Sequence, residues 1–547
     1  LLAVMALGVL GGRWVLRSAP SEPSYQRLTF RRGNIGEARF APDGQTIVYN
    51  AEWDGDSSEL FTTRLGASES RALGLGTASL RAVSSLGEMA FLLKPVGVGV
   101  ALGGTLARAP LAGGTPREVL ENVQFADWAP GGKDLVIVRE VGAEKRLEYP
   151  PGKVLHAVSV SAKLGWPRFS PAGKRIAFAE GPDGSSTNGW VSVIDLAGRK
   201  KQLTSQHPGL WNVVWAPGPE EVWFSAPLRS GAGTGLYAVT LSGKERLLHS
   251  SFGGVRMLDM SRDGRLLVTS IRGHFGISGI GPGETSERDL SWLDWSYVMD
   301  ISADGKTLLF DEEGEGGGPH GSVYVRRTDG SPPVRLGEAY GLALSADGKW
   351  ALTIAPAGIT LMPTGAGEAK LVPYPGIRDL RGARFFPDGR RLLLLAPAEK
   401  AGARLFVGDV DGRNLRPISP EGLRGNRCEI SPDGALAAAI GPDGVPRFYP
   451  TSGGEPESIP GARVGDIPLR FSADGRWLFL ARLRDTFAEV HRVELASGRW
   501  EAWKELRAND PAGLSPSAAI QITPDGQHYA YTYRRFLDEL ILIEGLR

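Results

Sequence analysis

The chain has 547 residues, of which 42% are hydrophobic and 22% are charged, so its composition is that of a folded globular protein. Its length exceeds that of one ordinary core and predicts two domains or a repeat array. The 62 basic and 61 acidic residues leave a formal charge of +1, so we expect no nucleic-acid partner. Cys428 is the single cysteine, which excludes an intrachain disulfide and a thiolate metal cluster.

The first twelve residues, LLAVMALGVLGG, are apolar and are followed by Arg13 and Arg17. A membrane-spanning helix needs roughly 20 residues, so this run predicts the second half of a transmembrane helix. The core of a signal peptide, which has about 7–15 residues, and a plain buried segment are the alternatives. We therefore expect residues 1–24 to be a truncated transmembrane helix and a linker rich in Pro and Ser.

One pattern recurs after Tyr25: a short strand, a Ser/Ala-Pro/Ala-Asp-Gly turn, and an apolar strand. ARFAPDGQTIVY around Asp43 and LRFSADGRWLFL around Asp474 are complete copies, whereas four weaker copies lack Asp-Gly. The equivalent turn positions, spaced by 41 to 51 residues, are 43, 86, 131, 172, 218, 263, 304, 347, 388, 433, 474 and 525. This spacing is typical of one four-stranded blade of a β-propeller, which takes about 40–45 residues.

The turn chemistry explains the repeated aspartates. Proline sets φ near −65°, the Asp carboxylate accepts hydrogen bonds from backbone N–H groups two residues on, and Gly tolerates positive φ. Most repeats then add an apolar strand, a Gly turn and a more polar strand. We therefore predict structural turns, rather than a set of catalytic carboxylates, at Asp43, Asp263, Asp304, Asp347, Asp388, Asp433, Asp474 and Asp525.

Twelve blades are too many for one ring, because propellers usually have 4–8 blades. The sequence therefore predicts an all-β chain of two tandem six-bladed β-propellers, at residues 25–285 and 286–547. The segment 537–547 is predicted to be the third strand of the last repeat, which then lacks its fourth strand. We predict that residues 25–30 complete blade six and residues 286–292 complete blade twelve, so that neither sheet keeps an open edge.

The repeat resembles the Pro-Asp-Gly repeat of TolB-like, WD-repeat-like propellers. PSYQRLTFRRGNIGEARFAPDGQTIVY, directly after the apolar run, also resembles the C-terminal sensor region of bacterial transmembrane serine/threonine protein kinases. The resemblance implies a membrane-anchored, extracytoplasmic region on the periplasmic side that binds a protein or peptide. Arg13 and Arg17, by themselves, favour a cytoplasmic propeller.

No catalytic motif supports an enzyme. The sequence contains no kinase loops and no G-x-S-x-G nucleophile elbow. Gly316, Gly318 and Gly321 match G-x-G-x-x-G, but they lie between two predicted strands and predict a hairpin loop. The seven histidines show no metal-ligand spacing, so we predict no metal, no cofactor and no catalysis.

Aromatic side chains precede the first strand of several blades, where ligands of propellers commonly dock. Trp166, Trp211 and Trp295, with Tyr340 nearby, are therefore candidate binding residues, and packing of large rings between blades is the alternative. Three functions remain open: a non-catalytic sensor region of a kinase-type receptor, a stand-alone exported TolB-like scaffold, and a propeller-based hydrolase partner.

Overall fold

A computed structural model describes residues 22–96, 103–183, 188–218, 220–228, 233–251, 253–318, 320–377, 380–397, 402–484, 486–515, 517 and 519–546. The chain divides into two compact units. Unit 1 comprises Leu1–Arg272 and Asp538–Arg547, and unit 2 comprises Gly273–Leu537.

The strands that begin in unit 1 are, in chain order, β1 (Ser24–Arg27), β2 (Gly33–Phe40), β3 (Thr46–Trp53), β4 (Glu59–Arg64), β5 (Arg71–Ala72), β6 (Ala78–Val83), β7 (Glu88–Val96), β8 (Gly103–Pro110), β9 (Arg117–Trp128), β10 (Leu135–Val141), β11 (Glu144–Glu148), β12 (Val154–Ser159), β13 (Ala162–Phe169), β14 (Arg175–Asp183), β15 (Trp190–Asp195), β16 (Lys200–Gln202), β17 (Trp211–Trp215), β18 (Glu221–Pro227), β19 (Thr234–Thr240), β20 (Glu245–Ser251), β21 (Gly254–Met260) and β22 (Leu266–Ile280).

The strands that begin in unit 2 are β23 (Arg288–Asp289), β24 (Ser296–Ile301), β25 (Thr307–Glu312), β26 (Ser322–Arg327), β27 (Val334–Gly337), β28 (Tyr340–Leu344), β29 (Trp350–Ala355), β30 (Gly358–Pro363), β31 (Lys370–Leu371), β32 (Gly382–Phe385), β33 (Arg391–Pro397), β34 (Ala403–Asp409), β35 (Arg416–Pro417), β36 (Arg424–Ile430), β37 (Leu436–Ile440), β38 (Pro446–Pro450), β39 (Glu457–Ser458), β40 (Asp466–Phe471), β41 (Trp477–Leu483), β42 (Ala488–Glu494), β43 (Trp500–Leu506), β44 (Leu514–Ser515), β45 (Ile520–Ile522) and β46 (Tyr529–Glu544).

Most of these strands form antiparallel four-stranded sheets in sequence order, such as β2-β3-β4-β5 and β24-β25-β26-β27. The long strand β9 is shared by two such groups, which gives the seven-stranded sheet β6 to β12. An all-β chain of four-stranded antiparallel sheets is the architecture of a β-propeller, so this part of the prediction is confirmed.

Within each unit the first strands of the sheets contact one another in cyclic order. In unit 1 the order is β2, β6, β9, β13, β17, β21 and again β2, and in unit 2 it is β24, β28, β32, β36, β40, β45 and again β24. Apolar side chains fill the space between neighbouring sheets. Val48 and Leu60 of one sheet, for example, pack with Leu80 and Phe91 of the next.

The predicted turns have the expected geometry. In the first repeat, Oδ1 of Asp43 accepts hydrogen bonds from the backbone N–H groups of Gln45 and Thr46, at 2.9 and 2.8 Å. The same contact to the residue two positions on recurs at Asp304, Asp347, Asp388, Asp433, Asp474 and Asp525. These hydrogen bonds confirm a structural role for the carboxylates.

Two strands pass from one unit into the other, and one prediction is wrong as a result. The segment 537–547 is not the third strand of the last repeat, because the end of β46 pairs with β1, Ser24 opposite Glu544, in the order β1-β46-β22-β21. The last repeat instead takes the second part of β22 as its third strand, and β23 pairs there, Asp289 opposite Ser278. Neither β22 nor β46 contains a Pro-Asp-Gly turn, so each continues as one long strand of 15 or 16 residues.

This exchange also shifts the unit limits from the expected 25–285 and 286–547, because residues 538–547 belong to unit 1 and residues 273–285 to unit 2. The glycine-rich loop at Gly316, Gly318 and Gly321 lies between β25 and β26 and includes the 3-10 turn Glu315–Gly317. No helix formed by the described residues is long and apolar enough to cross a membrane. The predicted transmembrane segment falls almost wholly on residues 1–21, which lie outside the described residues.

Candidate functional site

A polar residue stands four positions before the turn in most first strands of unit 2. The residues at this position are Asp300, Arg384, Glu429, Arg470 and Gln521. Side chains on successive first strands converge towards one another, because these strands are in mutual contact. Alignment of the repeats reveals this signal, whereas the turn motif alone does not predict these residues.

Buried ion pairs join the first strands. Arg384 contacts Glu429 through Nε and Nη2, at 3.0 and 2.8 Å, and also donates from Nη1 to the carbonyl oxygen of Leu342 at 2.8 Å. Nη2 of Arg470 lies 2.6 Å from Oδ1 of Asp300. These contacts connect different sheets of unit 2, so the main role of these charges is to hold the sheets together.

A cavity of about 480 Å³ opens beside these pairs. Among the described residues that line it are four arginines, Arg381, Arg384, Arg427 and Arg534, and one carboxylate, that of Glu313. The remaining lining is partly apolar and includes Met299, Leu342 and Leu483. The site therefore combines concavity, apolar surface and a few convergent polar groups, which is the composition of a ligand pocket.

Arg427 and Arg381 differ in their contacts. Nη2 of the buried Arg427 lies 3.7 Å from Oε1 of Glu429, which Arg384 also engages, and 3.5 Å from Oε1 of Gln521. Burial lowers the pKa of Arg427 to about 10, and the group stays protonated at neutral pH. Arg381 is half-buried, and its guanidinium has no hydrogen bond or ion pair with the residues described above.

The corresponding charges of unit 1 are more closely balanced. Arg168 lies 3.6 Å from Oδ1 of Asp127 and 3.7 Å from Oδ1 of Asp259, and Arg39 pairs with Glu37 at 2.8 Å. Each aspartate also accepts a hydrogen bond from a backbone N–H of the following first strand. The buried charges of unit 1 thus serve mainly to join its sheets.

The structure brings two of the predicted aromatic residues together in unit 1. The rings of Trp166 and Trp211 are 6.0 Å apart in an edge-on arrangement, and Nζ of Lys163 lies 5.5 and 5.7 Å from them. Lys163 donates a hydrogen bond to the carbonyl oxygen of Leu210 at 2.6 Å, and burial lowers its pKa to about 7. Trp166 is only 7% exposed and belongs to a core cluster, whereas Trp211 is half-buried at its edge.

The other two predicted residues lie in unit 2 and are more accessible. Trp295 is 37% exposed, its ring is 4.6 Å from that of Phe275, and its indole N–H donates to the carbonyl oxygen of Gly273. Tyr340, the first residue of β28, is 41% exposed. Neither residue lines the arginine-rich cavity. The four residues therefore do not form one site.

No group of three or more His, Cys, Asp or Glu side chains in the described part of the chain could hold a metal ion. Cys428 is buried, and burial raises the pKa of its thiol to about 12, so it is a poor nucleophile.

No protein-family model and no curated protein matches the chain. Among solved structures, it is similar to putative TolB from Agrobacterium tumefaciens, with 20% identity and a TM-score of 0.38 over 49% of this chain and 99% of that chain. It is also similar to the tricorn protease (14% identity, TM-score 0.31, 86% of this chain and 44% of that chain). A nidogen/laminin complex gives 13% identity and a TM-score of 0.34 over 44% of this chain and 95% of that chain. At these TM-scores the fold assignment rests on the strand pairing described above, and the neighbours carry no functional argument.

Proposed function

We propose that this chain is a non-catalytic β-propeller binding region that holds a protein or peptide ligand in the cavity of unit 2. The observation that carries the proposal is the cavity itself, about 480 Å³ with four arginines in its lining. This volume lies within the range of ligand pockets, about 300–1,000 Å³.

We further propose that each unit is a closed six-bladed propeller. The cyclic contacts of the first strands support this arrangement. The exchange of β22 and β46 supports it too, because each sheet that receives an exchanged strand is then completed by a short polar strand, β1 or β23.

The resemblance of residues 23–49 to kinase sensor regions, together with the apolar run at residues 1–12, supports a place in a membrane-anchored serine/threonine kinase-type receptor. We propose that the binding region then faces away from the cytoplasm. Reading the coding sequence upstream of Leu1 tests this proposal: a kinase domain is expected, whereas a start codon followed by a basic segment favours the exported scaffold instead. A hydrolase screen of the purified chain tests the remaining alternative.

Binding at the cavity is tested by selecting random linear peptides from a displayed library on the full chain. Asn426 is exposed and lines the cavity, so Asn426→Trp places an indole there with little disturbance of the core. Asn509→Trp makes the same change at an exposed position of unit 2 outside the cavity lining.

The selected peptides are expected to bind Asn426→Trp about tenfold more weakly than the wild type, which corresponds to about 1.4 kcal/mol. Binding to Asn509→Trp should remain at the wild-type affinity, and both variants should melt at the wild-type temperature. Equal binding to both variants, or no enrichment of any peptide, would refute the proposal.

A further inference from the structure

The cavity of unit 2 carries an excess of positive charge. Arg381, Arg384, Arg427 and Arg534 line it, and Glu313 is the one acidic residue among the lining residues. Glu429, behind the wall, neutralises one guanidinium through its contacts with Arg384. Arg470 and Asp300, whose charges also act on Arg427, form a further pair that adds no net charge. Among the described residues the cluster therefore holds five cations against three carboxylates, and a ligand with negative charge would compensate the remainder.

Arg381 is the lining arginine that most clearly lacks a counter-charge among the described residues. Its guanidinium lines the cavity and is half-buried, yet it forms no ion pair or hydrogen bond with the described residues. By contrast, the guanidinium groups of Arg384 and Arg470 are each held by a carboxylate within 3 Å. A partly desolvated arginine without a counter-charge is costly unless a ligand supplies the charge.

The apolar residues of the lining indicate that the ligand also has an apolar part. Met299, Leu342 and Leu483 contribute aliphatic surface beside the arginines. A fully hydrated inorganic anion would gain nothing from this surface, whereas a peptide with acidic and aliphatic side chains would use both parts of the wall.

We propose that the ligand of this cavity is an acidic peptide segment, whose side-chain carboxylate is bound by Arg381 together with Arg427 and Arg534. This inference rests on the proposed peptide-binding function and adds the chemical class of the ligand. The planar guanidinium group matches a carboxylate with two parallel N–H···O hydrogen bonds, a geometry that lysine cannot provide.

The probes are blocked peptides of identical length with the core Glu-Leu-Glu, Gln-Leu-Gln, Lys-Leu-Lys or phosphoserine-Leu-phosphoserine, titrated calorimetrically into the full chain. The variant is Arg381→Gln. Its matched control is Arg390→Gln, which removes an exposed guanidinium from the β32–β33 turn of the same sheet, outside the cavity lining. Melting temperatures verify that both variants are folded.

The Glu peptide should bind at least about tenfold more tightly than the Gln peptide. Arg381→Gln should weaken binding of the Glu peptide about tenfold, as expected for the loss of a charge-assisted hydrogen bond. Arg390→Gln should retain it, and added salt should weaken it. Equal affinities for the Glu and Gln peptides, or for the two variants, would overturn the inference. More than about tenfold tighter binding of the phosphoserine peptide would overturn the carboxylate assignment.

The two proposals fail separately. If neutral or basic peptides are selected from the library and lose affinity in Asn426→Trp, the peptide-binding function stands and the acidic ligand class is wrong. If no peptide responds to Asn426→Trp, the binding function itself is wrong.

Discussion

Arg384 engages Oε1 of Glu429 through two nitrogen atoms, Nε at 3.0 Å and Nη2 at 2.8 Å, and both side chains are buried. The contact joins β32 to β36, the first strands of neighbouring sheets. Removing one partner leaves the other charge buried and uncompensated, at a cost of about 3–5 kcal/mol.

Glu429→Ala should therefore lower the free energy of unfolding of unit 2 by about 3–5 kcal/mol. Urea denaturation followed by hydrogen–deuterium exchange of unit 2 peptides measures the loss. Asp411→Ala, which removes the partner of the exposed Arg413 and a backbone hydrogen bond of one turn, is the control and should change stability by about 1 kcal/mol or less. Similar losses in both variants would contradict a structural role for the buried pair.

The buried carboxyl of Asp538 should give the stability of unit 1 an unusual pH dependence. Burial raises the pKa of its carboxyl to about 6, and its Oδ1 has no hydrogen-bond partner among the described residues. The folded chain then binds more protons at Asp538 than the unfolded chain between about pH 4 and pH 6, so the contribution of Asp538 to stability falls as pH rises through this window.

Asp538→Asn should stabilise unit 1 at pH 7 by up to about 3 kcal/mol and should remove this part of the pH dependence. Thermal melts from pH 4 to pH 8 measure the effect. The same substitution at the exposed Asp56 is the control. A variant that keeps the wild-type profile would show that Asp538 is not the group responsible.

The two ends of the described chain, in β1 and β46, should both matter for the stability of unit 1. Because the end of β46 completes a sheet of unit 1, truncation after Leu537 should destabilise unit 1 and leave unit 2 largely protected. Deletion of residues 24–30, which contain β1, should act on the same unit, since β1 pairs with β46. Hydrogen–deuterium exchange resolves the two units, and loss of protection in unit 2 alone would contradict the strand order.

The buried aromatic residues of unit 1 and the accessible ones of unit 2 should respond differently to replacement by alanine. Trp166→Ala should cost about 3–5 kcal/mol, because the ring is buried against Trp211 and Phe125. Tyr340→Ala should cost less than about 1 kcal/mol, because the ring is 41% exposed. If Trp211→Ala leaves the melting temperature unchanged and abolishes peptide binding, the binding site is the aromatic group of unit 1 and not the cavity of unit 2.

The turn aspartates should matter for stability alone. The backbone N–H of Thr46 lowers the pKa of Asp43, so the contribution of this carboxylate to stability is present near neutral pH and is lost as pH falls through its folded pKa. Asp43→Ala should cost about 1 kcal/mol or less, with Asp43→Asn closer to the wild type. Both variants should bind peptides normally, and a loss of binding would return these residues to the list of candidate site residues.

The sequence by itself determined the repeat, the strand order within most sheets, and the role of the Asp-Gly turns. These features are local: each depends on a short run of residues with a turn signal and an apolar period. At Gly305, for example, φ is +69°, and Gly348 in the next repeat has φ +68°, so the backbone conformation of the turn itself requires the repeated glycine.

Only the tertiary structure decided where β22 and β46 end and which sheets they join, because strand partners far apart in sequence are chosen by packing and not by local signals. The same holds for the arginine-rich cavity. Arg381, Arg427 and Arg534 are separated by up to about 150 residues and share no motif. Arg381 precedes β32, Arg427 lies on β36 and Arg534 on β46, and all three line one cavity because the sheets that carry them are arranged in a cycle. Repetition along the chain is visible in sequence, whereas an excess of charge at one place becomes visible only after the repeats have been brought together.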